Sequence, residues 1–351
     1  GTQGTKGSSG RSDATTFNYM KQVNLNTSFT GKDLLYTRIK AGNFTKDVQF
    51  ADKTFGAYTT TANANGDAFK VDKLWYQFPV GDNYKFWIGP RIENYYMLAS
   101  APSIYKPVFK QFALGGNGAV YGASTGAGVG AAWIQSVDDR TKPRFAVSTN
   151  YVAANGAESD PQTGGVLSEG GKGIFLTKAE YGTPRWQVSL AYAAKQCDTF
   201  GDCADGGSYY STTAGQNRTG DSEAYAFRGY WRPVKTGWIP EISVGYDIAN
   251  IDDNVATTDA DATEETAQWM VGLGWKDVFV DGNSAGIAFG QRQYATDIKG
   301  GGDDDADDNF MWEAYYTFKV SDNVSITPSI FGGTDTQDGS DDDISGALVQ
   351  T

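Results

Sequence analysis

The segment RWQVSLAYAAK, residues 185–195, places apolar side chains at every second position. One face of the segment is apolar and consists of Trp186, Val188, Leu190, Tyr192 and Ala194. The opposite face holds Arg185, Gln187, Ser189 and Lys195. A period of two residues over this length predicts a β-strand with one face in an apolar environment. Residues 16–29 and 309–320 show the same alternation.

The same pattern predicts fifteen strands along the chain. They lie near 16–29, 34–44, 69–78, 84–91, 126–136, 143–153, 173–182, 185–196, 223–232, 238–249, 265–275, 284–294, 309–320, 324–332 and 343–351. Short and long connections alternate between these strands, so that short turns share one rim and long loops share the other. This arrangement is typical of an outer-membrane barrel. The sequence therefore predicts an all-β fold, a transmembrane antiparallel β-barrel.

The fifteen recognisable strands imply that the barrel has one further strand. An antiparallel barrel needs an even number of strands, and the alternation of loops places the missing strand before residue 1. We therefore expect sixteen strands, with 1–15 as an external loop or flexible segment and 16–351 as the barrel domain. The alternative is an additional strand within the glycine-rich region 114–136.

Composition excludes several functional classes. The 351 residues contain no histidine, which removes Ser-His-Asp and Cys-His catalysis and the usual histidine metal sites, so we do not expect an enzyme. The net charge of −13 disfavours nucleic acid as a partner. No run of 18 apolar residues is present, so no transmembrane helix is predicted.

The two faces of the predicted strands point to lipid outside and water inside. Hydrocarbon requires every backbone polar group to be paired internally, which a barrel achieves. We expect the charged faces to line a basic-leaning lumen that favours anions. The predicted pore-lining residues are Arg38, Lys85, Arg91, Arg144, Arg185, Arg228, Arg232, Arg292, Glu241 and Glu313. The alternatives are charges that only hydrate the wall, and a soluble barrel with an apolar interior.

Residues 92–125 form the longest and most apolar loop. Such a loop is costly to display in water. We expect it to fold into the lumen as a constriction, with contributions from Tyr95, Tyr96, Tyr105, Lys106 and Lys110. The alternative is a loop packed over the barrel mouth or against a neighbouring subunit.

Two smaller features lie in the predicted external loops. Cys197 and Cys203 predict a loop-closing disulfide in an oxidising location, with free thiols or a metal pair as the alternative. The acidic run containing Asp303, Asp304 and Asp305 lacks the ligand order of an EF-hand. We therefore expect solvated loops and no cofactor. Weak Ca²⁺ or Mg²⁺ binding that bridges the loops to lipopolysaccharide is the alternative.

Long stretches of the sequence resemble the cyanobacterial outer-membrane porins, which are related to the OprB-type carbohydrate-selective porins. The resemblance rests on NTSFTGKDLLYTRIKAGNF (26–44), DKLWYQFPVGDNYKFWIGPR (72–91), RGYWRPVKTGWIPEISVGYDI (228–248), WMVGLGWKDVFVDGNSAGIAFGQ (269–291) and MWEAYYTFKVSDNVSITPSIF (311–331). It implies a homotrimeric sixteen-stranded porin in the outer membrane, among lipid and lipopolysaccharide. Family members usually carry an S-layer-homology domain, so cell-wall anchoring is expected only through such a domain, which these residues do not include.

The function implied is passive diffusion of small hydrophilic solutes and inorganic ions through a water-filled channel. A carbohydrate-selective channel of the same fold is the first alternative. A non-conducting structural or adhesion barrel is the second.

Overall fold

The computed structural model of the protein describes residues 3–6, 15–44, 65–116, 119–122, 124–196, 220–235, 237–252, 263–298, 309–334 and 344–351. The strands of these residues are β1 (Gln3–Lys6), β2 (Met20–Thr27), β3 (Leu34–Gly42), β4 (Lys70–Val80), β5 (Tyr84–Ile92), β6 (Gly126–Ile134), β7 (Arg144–Ala153), β8 (Gly173–Gly182), β9 (Trp186–Lys195), β10 (Ser222–Trp231), β11 (Glu241–Ile251), β12 (Thr263–Lys276), β13 (Ser284–Ile298), β14 (Phe310–Lys319), β15 (Ser325–Thr334) and β16 (Ile344–Gln350).

The strands form one sheet in which neighbours in the chain are neighbours in space. Pairing is antiparallel from β2 through β16, and β1 pairs with β16, so that the sheet has sixteen strands in the order β1-β16-β15 and onward to β2. The predicted antiparallel all-β architecture and the total of sixteen are therefore confirmed.

The predicted position of the sixteenth strand is wrong. That strand lies within the chain, as Gln3–Lys6 beside β16, and not before residue 1. Four residues of sequence QGTK are too short and too polar to display an alternation. The alternative of an extra strand in 114–136 is not found either, because the described residues before β6 form turns and the end of a short 3₁₀ helix.

The alternation predicted for β9 is present in the structure. Leu190 is 66% exposed on the outer face, whereas Ala191 and Ala193 are buried on the inner face. Other large apolar side chains are exposed on outer faces, including Phe227 and Ile330. A sheet that exposes Leu and Phe outward and buries Ala inward matches a lipid-facing exterior.

The described residues of the range 92–125, here called the inner segment, lie on the inner side of the sheet. The segment contains two short 3₁₀ helices, Asn94–Tyr96 and Lys110–Gly115. Three buried apolar clusters contain its side chains together with inner-face side chains of every strand from β4 to β16. The sheet therefore curves around the inner segment. The main apolar core lies between this segment and the inner face of the sheet. No helix among the described residues is long and apolar enough to cross a membrane.

Candidate functional site

The inner segment is closed on itself where it leaves β5 and returns to β6. The Oγ1 atom of Thr125 donates a 2.8 Å hydrogen bond to Oε1 of Glu93. One residue further in, the backbone N–H of Asn94 donates to Oγ of Ser124 at 3.0 Å. Asn94 is fully buried and also donates through Nδ2 to the carbonyl of Val120. These contacts hold the two ends of the segment together in a neck.

Charged side chains of β3 and β4 surround this neck. The Arg38 guanidinium contacts the Asp72 carboxylate, and Lys40 Nζ lies 3.6 Å from the same carboxylate. Lys73 Nζ lies 3.1 Å from Oε1 of Glu93 and 3.6 Å from Asp72. We call these five residues the neck cluster. Its three cations outnumber its two carboxylates, so the wall beside the neck has a positive surplus.

Aromatic rings continue from the neck cluster onto the inner segment. The Tyr36 and Trp75 ring centroids lie 4.9 Å apart, and Trp75 lies 5.9 Å from Tyr96. The Arg38 guanidinium carbon lies 5.9 Å from the centre of the Tyr96 ring, within cation–π range. Burial raises the pKa of Tyr96, so its hydroxyl is protonated at neutral pH. Charged and aromatic groups thus meet beside the neck.

The same neighbourhood reaches Lys110, further along the inner segment. Lys110 is half-buried, and its pKa is lowered because burial disfavours the ammonium form, although the nearby Glu93 and Asp72 carboxylates oppose this effect.

A second attachment joins the inner segment to β14. Oε1 of Glu313 accepts hydrogen bonds from the Tyr105 hydroxyl at 2.8 Å and the Val108 N–H at 3.2 Å, and Oε2 accepts one from the Phe109 N–H at 2.9 Å. Glu313 has no exposed surface. Burial beside this carboxylate raises the pKa of Tyr105 and keeps its hydroxyl a donor.

A third attachment lies on β8 and β9. Lys178 Nζ lies 2.6 Å from Oε2 of Glu180 and donates to the Ser100 carbonyl at 3.0 Å. Ser100 Oγ in turn donates to Oε2 of Glu180 at 2.9 Å, and Gln187 Nε2 lies 2.9 Å from Ser100 Oγ. A buried ion pair thus forms hydrogen bonds with the Ser100 hydroxyl of the inner segment.

A fourth attachment lies on β10 and β11. Arg228 forms a buried ion pair with Asp247, and its Nε atom donates to the Leu114 carbonyl at 2.8 Å. The Tyr121 ring centre lies 5.2 Å from the guanidinium carbon. The backbone of Gly115 passes so close to Gly245 that a Cβ atom at position 245 would overlap the Gly115 carbonyl oxygen. Glycine is required there by this close approach.

The predicted pore-lining residues divide by their surroundings. Arg228, Arg292 and Glu313 are buried, so they do not line open water. Arg38 belongs to the neck cluster. The short-turn ends of the strands carry Lys85, Arg144, Arg185, Arg232 and Glu241, all at least partly exposed. Arg91 is exposed beside a register shift of β5, with Nε 3.4 Å from the Asp72 carbonyl oxygen.

The predicted constriction residues all lie on the inner segment. Tyr105 is buried, Tyr95 and Tyr96 are half-buried, and Lys106 is exposed. Sequence reasoning missed Asp72, Lys73 and Glu93. The pairing of β3 with β4 is irregular after Arg38, so the two-residue period that would have identified the inner face is interrupted there.

Two predictions fall outside the described residues. These are the disulfide between Cys197 and Cys203 and the weak cation site at Asp303, Asp304 and Asp305. Within the described ranges, no group of three or more Cys, Asp or Glu side chains could hold a metal ion.

The sequence of the chain is similar to one family model and to two curated proteins. The family model described as carbohydrate-selective porin, OprB family, matches residues 3–331. An uncharacterized protein of Synechocystis sp. is 27% identical over 339 residues, covering 90% of this chain and 59% of the relative. An uncharacterized protein of Nostoc sp. is 26% identical over 372 residues, covering 97% and 61%. The chain thus spans about three fifths of the length of these curated relatives.

Solved structures show the same fold at low sequence identity. OprB of Pseudomonas putida matches with a TM-score of 0.60 at 14% identity, over 100% of this chain and 92% of that one. Salmonella typhi OmpF matches with a TM-score of 0.55 at 13% identity, over 99% and 94%. These likenesses confirm the predicted fold class as that of the outer-membrane porin barrels.

Proposed function

This chain belongs to the OprB family of carbohydrate-selective porins, and we propose that it forms a water-filled channel through which small hydrophilic solutes diffuse passively. As a member of that family it is an outer-membrane β-barrel protein. The family and its fold are those of channels rather than of enzymes. The narrowest part of the proposed path is the inner segment, and the solutes proposed are carbohydrates together with inorganic ions.

The single observation that carries this proposal is the set of attachments of the inner segment. Glu313 on β14, Glu180 on β8 and Arg228 on β10 hold it at three separated places on the inner wall. A segment fixed across the interior narrows the lumen, whereas a loop lying over the mouth would make none of these hydrogen bonds to the wall. The attachments therefore support a constriction.

The neck supports the choice of solute. Specific small-molecule sites combine aromatic surface with a few polar groups that fix orientation. Tyr36, Trp75 and Tyr96 supply the surface, and Arg38 and Lys40 supply donors. The family description supports carbohydrates, and the positive surplus supports a preference for anions over cations among the ions.

The proposed setting follows the same family. We propose a homotrimer in outer-membrane lipid and lipopolysaccharide, with cell-wall anchoring only through a separate domain. For the acidic external loops we propose no cation binding stronger than a weak affinity for Ca²⁺ or Mg²⁺. A structural or adhesion barrel that does not conduct is the competing function.

Planar-bilayer recording of the full chain tests the channel. We expect discrete conductance steps. In a KCl gradient, the zero-current potential should indicate a preference for chloride over potassium. Added sugars should lower the conductance by an amount that depends on the size of the sugar. Removal of residues 100–115 should raise the single-channel conductance. Folding of the deletion variant is checked by its heat-dependent mobility in detergent gels, and Tyr105→Ala gives a milder opening of the same segment. The absence of conductance steps would support the non-conducting barrel.

A further inference from the structure

A cavity of about 340 Å³ lies at the short-turn rim of the lumen, between the β8–β9 turn, the β10–β11 connection and the end of β12. Arg185, Arg232, Glu241 and Lys276 line it, and Pro184 and Ile239 contribute apolar wall. We call this cavity the rim pocket. It is separate from the neck cluster and from the attachments of the inner segment.

The charges of the rim pocket are unbalanced. Lys276 Nζ lies 2.7 Å from Oε1 of Glu241, and Arg232 Nε lies 3.5 Å from the same oxygen. Arg185 Nη2 donates to the Arg232 carbonyl at 3.3 Å, which places its guanidinium beside the pair. One carboxylate thus faces three cations, leaving a surplus of two positive charges among the lining residues.

One donor of the rim pocket is only weakly engaged. The Nε atom of Arg232 makes no hydrogen bond within the described part of the chain, although it lies 3.5 Å from Oε1 of Glu241. A ligand oxygen at hydrogen-bond distance would satisfy this donor more fully than the more distant carboxylate does. The arginine is therefore arranged to receive an oxygen atom from a ligand.

The rim pocket adjoins the interior. A second cavity of about 130 Å³ shares Glu241, Gly274 and Lys276 with it and extends to Tyr105 and Lys106 of the inner segment. A Cβ atom added at Gly274 would meet no atom within 4 Å, so the connection between the cavities is open at this residue. A solute leaving the inner segment thus meets the rim pocket on its way to the short-turn side.

We propose that the rim pocket binds small organic oxyanions, solutes whose carboxylate or phosphate group is received by Arg232 and Arg185. Guanidinium groups pair with these oxyanions through two parallel hydrogen bonds. Pro184 and Ile239 contact the carbon skeleton of the ligand, which chloride lacks. This proposal rests on the channel function above and adds to it a station that retains acidic solutes.

Calorimetric titration of the full chain in detergent tests the binding directly. The probes are glucuronate, glucose 6-phosphate and glucose, which share the pyranose ring and differ in the group at C6. We expect glucuronate and glucose 6-phosphate to bind about tenfold more tightly than glucose, as one charge-assisted hydrogen bond would give. Arg232→Gln and, independently, Arg185→Gln should weaken both anions by about tenfold while leaving glucose unchanged.

The matched control is Arg140→Gln. Arg140 is exposed in the short turn after β6 and lies outside the rim pocket, so this variant changes the rim's charge equally. An equal loss of anion affinity in Arg140→Gln would assign the effect to the general field of the rim and overturn the proposal. Equal affinity for all three probes would overturn it as well.

Bilayer recording of the same preparations separates the two proposals. Conductance steps without preferential binding of the anionic probes would leave the channel and remove the rim pocket as a site. Preferential binding of the anionic probes without conductance steps would leave the rim pocket as a site and remove the channel.

Discussion

The Tyr105 hydroxyl donates a 2.8 Å hydrogen bond to Oε1 of Glu313, joining residues 208 positions apart. The same carboxylate accepts the backbone N–H groups of Val108 and Phe109. A buried carboxylate that receives three donors from one short stretch fixes the backbone of that stretch as well as one side chain. Glu313 of β14 thus fixes the position of the inner segment at this level through three hydrogen bonds.

Glu313→Leu should loosen the inner segment because two buried N–H groups lose their acceptor. Each unsatisfied group costs about 1–3 kcal/mol. We expect faster hydrogen exchange at Val108 and Phe109 and larger, noisier conductance steps. Glu313→Gln keeps one carbonyl acceptor and should have the smaller effect. Unchanged exchange in the leucine variant would show that apolar packing alone holds the segment.

Lys178→Met should destabilise the barrel because it leaves the Glu180 carboxylate buried without its cation. Removal of one partner of a buried ion pair costs about 3–5 kcal/mol. The double variant Lys178→Met/Glu180→Leu should regain most of that loss, since two apolar side chains replace two charges. Urea unfolding in detergent micelles measures both variants. A double variant as unstable as the single one would contradict this account.

The sequence was informative wherever one physical demand acted on many residues. Lipid outside and a filled interior inside impose the two-residue period on β9, so its faces were predictable. The inner segment was also recognisable, because 92–125 is too apolar to lie in water. The first prediction required only the local order of residues, and the second only local composition.

Other features depend on contacts between distant residues. Arg228 was predicted to face the lumen, but the strand pattern does not reveal that the inner segment covers it. The short strand β1 is defined by its pairing with β16, and its own four residues show no period. Lys73 escaped prediction because the register with β3 shifts beside it.

Gly272→Ala should disturb the Tyr105 attachment. A Cβ atom at position 272 would lie 2.6 Å from Cγ of Tyr105, whereas one at position 274 would meet no atom within 4 Å. We therefore expect faster hydrogen exchange around Tyr105 in Gly272→Ala and unchanged exchange in Gly274→Ala, which is the matched control. Equal exchange in the two variants would mean that the Tyr105 ring moves aside without cost.

Lys40→Gln should reduce the preference for anions. Lys40 is one of the three cations of the neck cluster, so its neutralisation weakens the positive field beside the inner segment. The zero-current potential in a KCl gradient should shift toward cation preference, and Lys40→Glu should shift it about twice as far because the charge changes by two. Lys32→Gln, in the exposed turn before β3, is the control and should cause no comparable shift.

Asp33 should make its short turn stable over the whole range from weakly acidic to neutral pH. The hydrogen bond from Tyr76, together with those from Ser28 and Thr30, lowers the pKa of Asp33 despite some desolvation. A folded-state pKa below the unfolded value of about 3.9 gives a stabilisation that is present above that value and is lost as the pH falls through the folded pKa. Hydrogen exchange at Phe29 and Thr30, corrected for intrinsic rates, should therefore show constant protection above about pH 4 and decreasing protection in stronger acid. Asp33→Asn should have weaker protection that no longer depends on this titration, and a wild-type turn that gains protection in acid would contradict the role of the ionised carboxylate.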